Sequence, residues 1–341
     1  MLTLETLPGT RAHYVYADYA ELLCLVNLDG QVSKSDLIDR INDRGNVGER
    51  APRDLDDDDD DSDTEDIFDA VAADTEQYEP SARNSKDERF IEDVFHLLEY
   101  RLTTYSDAYP FLFSKKKNAI LLRDALTENQ RLYVYLLLCA NLPRVSRSYY
   151  FDITHTFEVV CVGKMKNLLP ANGRVEIFRT NRFYTGGIFS GNLWDRLGQL
   201  ADHFREVVLA KQQDYPSNDN GDGGVDIVAW IPNSKGDSAR GEIRFFGQSA
   251  CTENWIDKQN SVLPHKWRNR LSLSVTPLPM VFIPFCFRGA SGEWYSDRDL
   301  SECMIVDRQR FFSETLEIQP QALKRINEIV DLALKTKEGV V

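Results

Sequence analysis

Through most of the first 210 residues, apolar positions recur at intervals of three and four, the spacing of helices that bury one stripe. The stretches DYAELLCLVNL and SKSDLIDRIND predict two short amphipathic helices, the second opened by a Ser or Asp cap. From about residue 85, Phe90, Val94, Leu98 and Leu102 stand four apart with Phe95 beside them. TENQRLYVYLLLCANL predicts a further helix, capped by Thr127 with Gln130 three residues on. Between these two, YPFLFSKKKNAILLRD reads as a short hairpin or loop. FDITHTFEVVCVGKMKNLL predicts another helix, and NLWDRLGQLADHFREVVLAK a long one with the stripe Leu193, Leu197, Leu200, Phe204, Val207 and Val208.

The period then changes. VDIVAWIP and GEIRFFGQSA are short runs rich in β-branched and aromatic residues, separated by the polar turn NSKGDSAR, and both read as strands. PMVFIPFCF is a later apolar strand and PQALKRINEIVDLALKTK a closing helix. Helices followed by strands interleaved with helix predict an α/β or α+β protein, its sheet-bearing core in 151–341. Ahead of that core stand a helical segment at 1–48, an acidic insertion at 49–84 and a helical region at 85–150.

Length and composition fit this division. A chain of 341 residues, 42% hydrophobic, can build two packed cores or one large core with an added layer. The net charge of −14 argues against nucleic acid as a partner only until it is located. Residues 54–79 hold fourteen acids and no Lys or Arg, which equals the whole excess and leaves the remainder neutral. Such a block repels itself and predicts a disordered, solvated insertion, or a polyanion that imitates a phosphate backbone in a basic groove. No apolar run approaches the roughly 18 residues of a membrane span, and the N-terminal stretch has no basic leader with a cleavage site, so a cytoplasmic protein away from membranes is expected. The six cysteines lie far apart without a CxxC pair and read as reduced core thiols. There is no GxSxG, P-loop or dinucleotide fingerprint, and GDGGVD lacks the alternating acids of a calcium loop.

Candidate chemistry gathers around GDGGVDIVAW, residues 221–230. Glycines at 221, 223 and 224 permit positive φ and close approach, and the apolar strand that follows holds Asp226 at its rim. A carboxylate fixed there suits a hard divalent cation. The next strand presents Gln248, as a carbonyl ligand or hydrogen-bonding group, and TENWIDK reads as a helix anchored by Trp255 with Lys258 one turn on. Asp, then a polar residue on the next strand, then Lys, is a constellation for metal-assisted phosphodiester hydrolysis.

GDGGVDIVAW and IRFFGQSA together resemble the PD-(D/E)XK nuclease superfamily, in particular its Mrr-like restriction endonucleases. Asp222, Gly223, Gly224 and Asp226 match the glycine-rich turn, and Gln248 the Glu/Gln position, whereas Ala250 stands where that family carries Lys. The resemblance covers roughly residues 190–260 and implies a restriction-endonuclease-like mixed sheet flanked by helices, behind a mainly helical N-terminal region. It implies Mg²⁺ or Mn²⁺ as cofactor and nucleic acid, DNA ahead of RNA, as substrate. It also implies a bacterial restriction or phage-defence setting, with a partner protein of that system or a second copy of the chain. Asp226 and Gln248 are the expected metal residues, with Lys258 in place of the motif lysine. Arg244 beside Glu242 is the other option for that cation. A helix carboxylate is also implied. Glu206 lies about twenty residues before Asp226, near the expected spacing, though opposite its helix's stripe; Glu158 sits at the edge of an apolar face but too far back unless an insertion intervenes. Lys266, Arg268 and Arg270, interleaved with Trp267, are the expected nucleic-acid contacts, with Lys115 to Lys117 a second basic stretch and His265 beside the first. The competing reading is a nuclease-like subunit that lacks its lysine and only binds.

Overall fold

The computed structural model describes residues 1–45 and 80–337 apart from 217, 220, 235, 236, 238 and 253; the acidic tract 54–79, and the expectations attached to it, lie outside the described residues. In chain order the helical region comprises α1 (His13–Val26), α2 (Lys34–Gly45), α3 (Pro80–Tyr105) and α4 (Glu128–Cys139). A small antiparallel sheet joins β1 (Gln31–Ser33) to the hairpin β2 (Phe111–Ser114) and β3 (Ala119–Leu122), so YPFLFSKKKNAILLRD does fold back on itself. Both capping expectations are met. Thr127 and Gln130 make a reciprocal box at the start of α4, and Ser33 with Asp36 make one ahead of α2 at 3.2 and 2.8 Å.

The second half begins with α5 (Tyr150–Leu168) and continues through β4 (Arg174–Ile177), α6 (Leu193–Phe204), β5 (Ile227–Ile231) and β6 (Ile243–Ser249). Then come α7 (Trp255–Lys258), α8 (Pro264–Arg268), β7 (Leu278–Phe282), β8 (Met304–Val306), α9 (Arg308–Phe311) and α10 (Pro320–Lys335). The five strands from β4 to β8 form one mixed sheet in chain order. β4, β5 and β6 are antiparallel, while β6, β7 and β8 run parallel, with α7 and α8 in the crossover between β6 and β7. The structure is thus mixed α+β with a helical N-terminal region. Two strands, β4 and β8, carry runs too short to stand out in the sequence.

Period-two alternation divides the sheet's side chains between two layers. Ile227, Ala229, Met280 and Phe282 join a cluster built with α1, α3, α4, α5 and α10. Val228, Trp230, Phe246 and Val281 face the stripe Leu193, Leu197, Leu200 and Phe204 of α6, together with Trp255 and Trp267. Helix α6 is shorter than its pattern suggests. Arg205 adopts a left-handed conformation, φ 55°, and Glu206 N–H donates to the Ala201 carbonyl at 2.8 Å, which closes the helix. Val207 is left 59% exposed and Val208 bridges Leu271, so neither extends the stripe. No described helix is long and apolar enough to cross a membrane, and all six cysteines are free thiols, five of them buried.

A buried charge cluster ties the helical region to the end of the sheet. Asp18 of α1 takes Arg308 on both oxygens at 3.0 and 2.7 Å and Arg101 at 2.7 Å, while Glu21 meets Arg101 at 2.9 Å. The hydroxyls of Tyr109 and Tyr133 donate to Glu21 at 2.8 and 3.0 Å. Removing one partner from such a group leaves a buried charge unmatched. Asp18→Ala is therefore expected to cost about 3–5 kcal/mol of unfolding free energy in a urea titration; a loss under about 1 kcal/mol would show that water reaches the two guanidinium groups.

Candidate functional site

The glycine-rich turn behaves as its composition requires. Gly223 and Gly224 hold φ +63° and +84°, and a Cβ at these positions would stand 2.4 Å from Arg270 Nη1 and 2.6 Å from Ser261 Cβ. Arg270 Nη1 donates to the Gly223 carbonyl at 2.6 Å, and Gly224 N–H donates to the Asp222 carboxylate at 2.6 Å. The turn is therefore packed on its outer side and pinned from within, and it delivers Asp226 to the first rung of β5.

Asp226 holds three strands together. Its carbonyl accepts from Phe178 N–H at 2.7 Å, just past β4, and its N–H donates to the Gly247 carbonyl of β6 at 2.9 Å. Its carboxylate then extends the ladder where backbone pairing stops: Oδ2 accepts from Ser249 N–H at 2.7 Å and from Ser249 Oγ at 2.5 Å. The side chain ends almost sealed from solvent, with 2% of the residue exposed.

Glu158 reaches the same place from α5. That helix is buried on nearly all sides, so a glutamate within it needs internal partners. They come from the segment after β4: the Arg179 guanidinium pairs with Oε1, and Asn181 Nδ2 donates to Oε2 at 2.8 Å and to the His155 carbonyl at 2.8 Å. Burial pushes the Asp226 carboxyl well above the usual carboxylate range, Asp222 and Glu158 add to this, and Arg179 opposes it. Burial likewise raises Glu158, against the pull of Arg179 and Asn181, and Asp222 contributes in the same direction. Three carboxylates thus act on one another, with Arg179 paired to Glu158 and the buried Arg196, a donor to the Gly221 carbonyl, close enough to Asp222 to feel its charge.

Glu206, favoured from spacing, is not part of this group. Because α6 stops at Phe204, Glu206 lies beyond the helix, where Arg244 Nη1 donates to it at 2.6 Å and Ser274 N–H at 2.9 Å. The helix glutamate that acts on Asp226 is Glu158, and α6 with its flanking loops occupies the β4 to β5 connection that separates the two along the chain. Arg244 is removed by the same contact as a stand-in for the missing lysine, and Glu242 pairs with Arg205.

Gln248 is placed differently from its expected role. Along β6, Phe246 and Ala250 belong to the α6 to α8 layer, whereas Gly247 lies against Met165 of α5 and Ser249 meets Asp226. Alternation therefore turns Gln248 toward the α6 to α8 layer, and the residue that meets the aspartate is its neighbour Ser249. Gln248 is 7% exposed, and its Oε1 is buried without a hydrogen-bond partner. Lys258, half-buried at the end of α7, acts electrostatically on the Cys251 thiol.

The basic run 266–270 is divided. Lys266, Arg268 and His265 are exposed, but Trp267 is fully buried beside Phe246 and Phe178, and Arg270 is spent on the Gly223 carbonyl. Arg268 donates to Thr276 Oγ1 at 2.7 Å. Arg179, Asn181 and Ser249 are site residues that sequence reasoning missed; the signal available for the first was a lone Glu in a helix without a polar face. Among the described residues, no group of three His, Cys, Asp or Glu side chains stands in metal-binding geometry. Comparison of the chain with protein-family models, with curated proteins and with solved structures finds no match.

Two outcomes follow from this geometry. A carboxyl raised above its unfolded value, near 3.8 for Asp226, stabilises the fold most below that value and loses the contribution as pH climbs through the folded one. Asp226→Asn keeps an acceptor for Ser249 and removes the charge. Without added metal it is expected to be more stable than the parent by about 1 kcal/mol or more at pH 8 and to show a flatter urea midpoint from pH 5 to 8; equal slopes in the two proteins would show that Asp226 is solvated. Gly224→Ala is expected to cost about 1–3 kcal/mol in the same measurement, because both the φ and the Ser261 contact oppose a side chain.

Proposed function

We propose that the chain is a metal-dependent nuclease with a restriction-endonuclease-like core, acting on phosphodiester bonds of nucleic acid, DNA ahead of RNA. The observation that carries this reading is the convergence of Glu158, Asp222 and Asp226, from a helix, a glycine turn and a strand start, against two guanidinium groups, Arg179 on Glu158 and Arg196 near Asp222. Such a group is short of positive charge, and either a proton or a divalent cation makes up the shortfall. The donors are hard oxygens, which select Mg²⁺ or Mn²⁺ over softer metals. The order of elements agrees with the resemblance in GDGGVD: a helix with a buried Glu, a strand, a strand opened by Asp226, a third strand ending at Gln248 to Ala250, then a crossover helix and a parallel strand.

Asp226 and Asp222 would hold the cation, with Glu158 able to join once Arg179 leaves it, and the unpartnered Oε1 of Gln248 is a further oxygen near that strand end. When bound, the cation supplies an acidified water and a polarised phosphoryl oxygen. Ser249 fixes one oxygen of Asp226 and so presents the other, while Lys258 and the partly exposed face of Arg179 offset negative charge that develops on the phosphate. A bacterial restriction or phage-defence system, with a protein partner or a second copy, is the setting that goes with this proposal.

A second reading has its own support. Ala250 at the motif lysine position and Gln248 turned to the other layer favour a subunit that binds nucleic acid or a partner without cleaving. Cleavage of linear, supercoiled and single-stranded DNA with Mg²⁺ or Mn²⁺ separates the two. The nuclease reading expects cleavage that EDTA abolishes, a loss of roughly 10²-fold or more in Asp226→Ala, Glu158→Gln and Lys258→Ala, and little change in Glu206→Gln when that variant is folded. Binding retained with no cleavage under any of these conditions would leave the subunit reading.

A further inference from the structure

Just past β4, Arg179 and Arg182 stand three residues apart and each reaches back to an acid of α5, Arg179 to Glu158 and Arg182 to Asp152. The acids are inside and the guanidinium groups are not: the Glu158 and Asp152 side chains are 1% and 13% exposed, against 29% and 56% for Arg179 and Arg182. An arginine paired on its inner edge and open on its outer one can turn toward an arriving anion, whereas a carboxylate packed in a helix cannot follow it. Its planar fork serves phosphate as well as carboxylate.

The two pairs differ in what they leave behind. Asp152 is also held by Arg325, and the Arg182 guanidinium is braced over the rings of Phe151 and Phe183, each at 4.7 Å, so Arg182 can shift while its acid stays matched. Glu158 has only the Asn181 amide besides Arg179, and Arg179 Nε is buried without a partner of its own. If Arg179 turns outward, Glu158 loses its guanidinium and Asp226 loses the charge that opposes its burial, and a divalent cation becomes the matching charge. The other basic segment cannot do this, because Arg270 is spent on the turn and Trp267 is in the core.

Resting on the nuclease reading, we propose that Arg179 and Arg182 receive the phosphates of the nucleic acid, and that a phosphodiester drawing Arg179 off Glu158 completes the cation site, so that nucleic acid and divalent cation bind cooperatively through Arg179. By linkage, each ligand then tightens the other by the same factor. The test is fluorescence anisotropy of labelled single-stranded and duplex phosphorothioate oligonucleotides on the full chain, with and without Mg²⁺, alongside melting temperatures. In the parent protein Mg²⁺ is expected to tighten oligonucleotide binding about tenfold. Arg179→Gln should weaken binding and reduce the Mg²⁺ effect to less than about twofold, while Arg182→Gln should weaken binding severalfold and keep the Mg²⁺ effect. Should Arg179→Gln fail to fold, Arg179→Lys keeps the charge, loses the fork and should still cut the coupling. Full coupling in a folded Arg179 variant overturns the proposal. Mg²⁺ that raises the melting temperature in an Asp226-dependent way without changing oligonucleotide affinity overturns it alone; Mg²⁺ without effect on either removes the metal reading beneath it.

Discussion

A charge taken out of water has to be matched inside the protein, and this chain does so at two places in two different ways. Between α1, α3 and α9 the count closes: Asp18 and Glu21 face Arg101 and Arg308, with two tyrosine hydroxyls on Glu21. At the ends of β5 and β6 it does not close. Glu158, Asp222 and Asp226 are set against Arg179 and Arg196, and the Glu158 and Asp226 carboxyls hold their protons more tightly than usual. The first cluster is complete as it stands and reads as architecture. The second is left short of positive charge, and that is the feature on which the proposed chemistry rests.

Much of the fold was legible in the sequence, because long stripes and capping residues act locally. Thr127 with Gln130 opened α4 as their spacing required, and the stripe Leu193, Leu197, Leu200 and Phe204 does face the sheet. The failures came where a short-range event decided the outcome. A left-handed Arg205 ended α6 two residues before Val207, and nothing about an arginine announces that conformation. β4 has four residues, too few to display a period, and without it Arg179 and Asn181 had no element to belong to.

The site was half legible for the same reason. The glycine turn could be read because positive φ has a residue preference, and Gly223 and Gly224 both use it. Glu158 was visible as an acid on an apolar helix, yet the length of chain before Asp226, which includes α6, hid their proximity. Gln248 and Ser249 show the limit most sharply. Continued one step, the register of β5 with β6 sets Asp226 opposite Gln248, yet the carboxylate accepts from Ser249 N–H and Oγ, a contact made past the last rung that no strand pattern announces. The run 264–270 misled in the opposite sense: basic and aromatic residues side by side look like a binding stripe, but an α-helical turn sends Trp267 inward while Lys266 stays out.

The helical N-terminal region, which the nuclease resemblance does not cover, is part of the same construction. Helix α5 carries Glu158 on one side of the sheet, and the apolar cluster that seats it runs without a break through α1, α3, α4 and α10. A chain that ended its core at α5 would expose the face of the sheet that Ile227, Ala229, Met280 and Phe282 occupy, and α5 would have little to press it inward. Glu158 could then swing to water and take Arg179 with it. The first half's contribution is mechanical: it keeps buried a glutamate that would otherwise be solvated, and so holds Glu158 and Arg179 together beside Asp226.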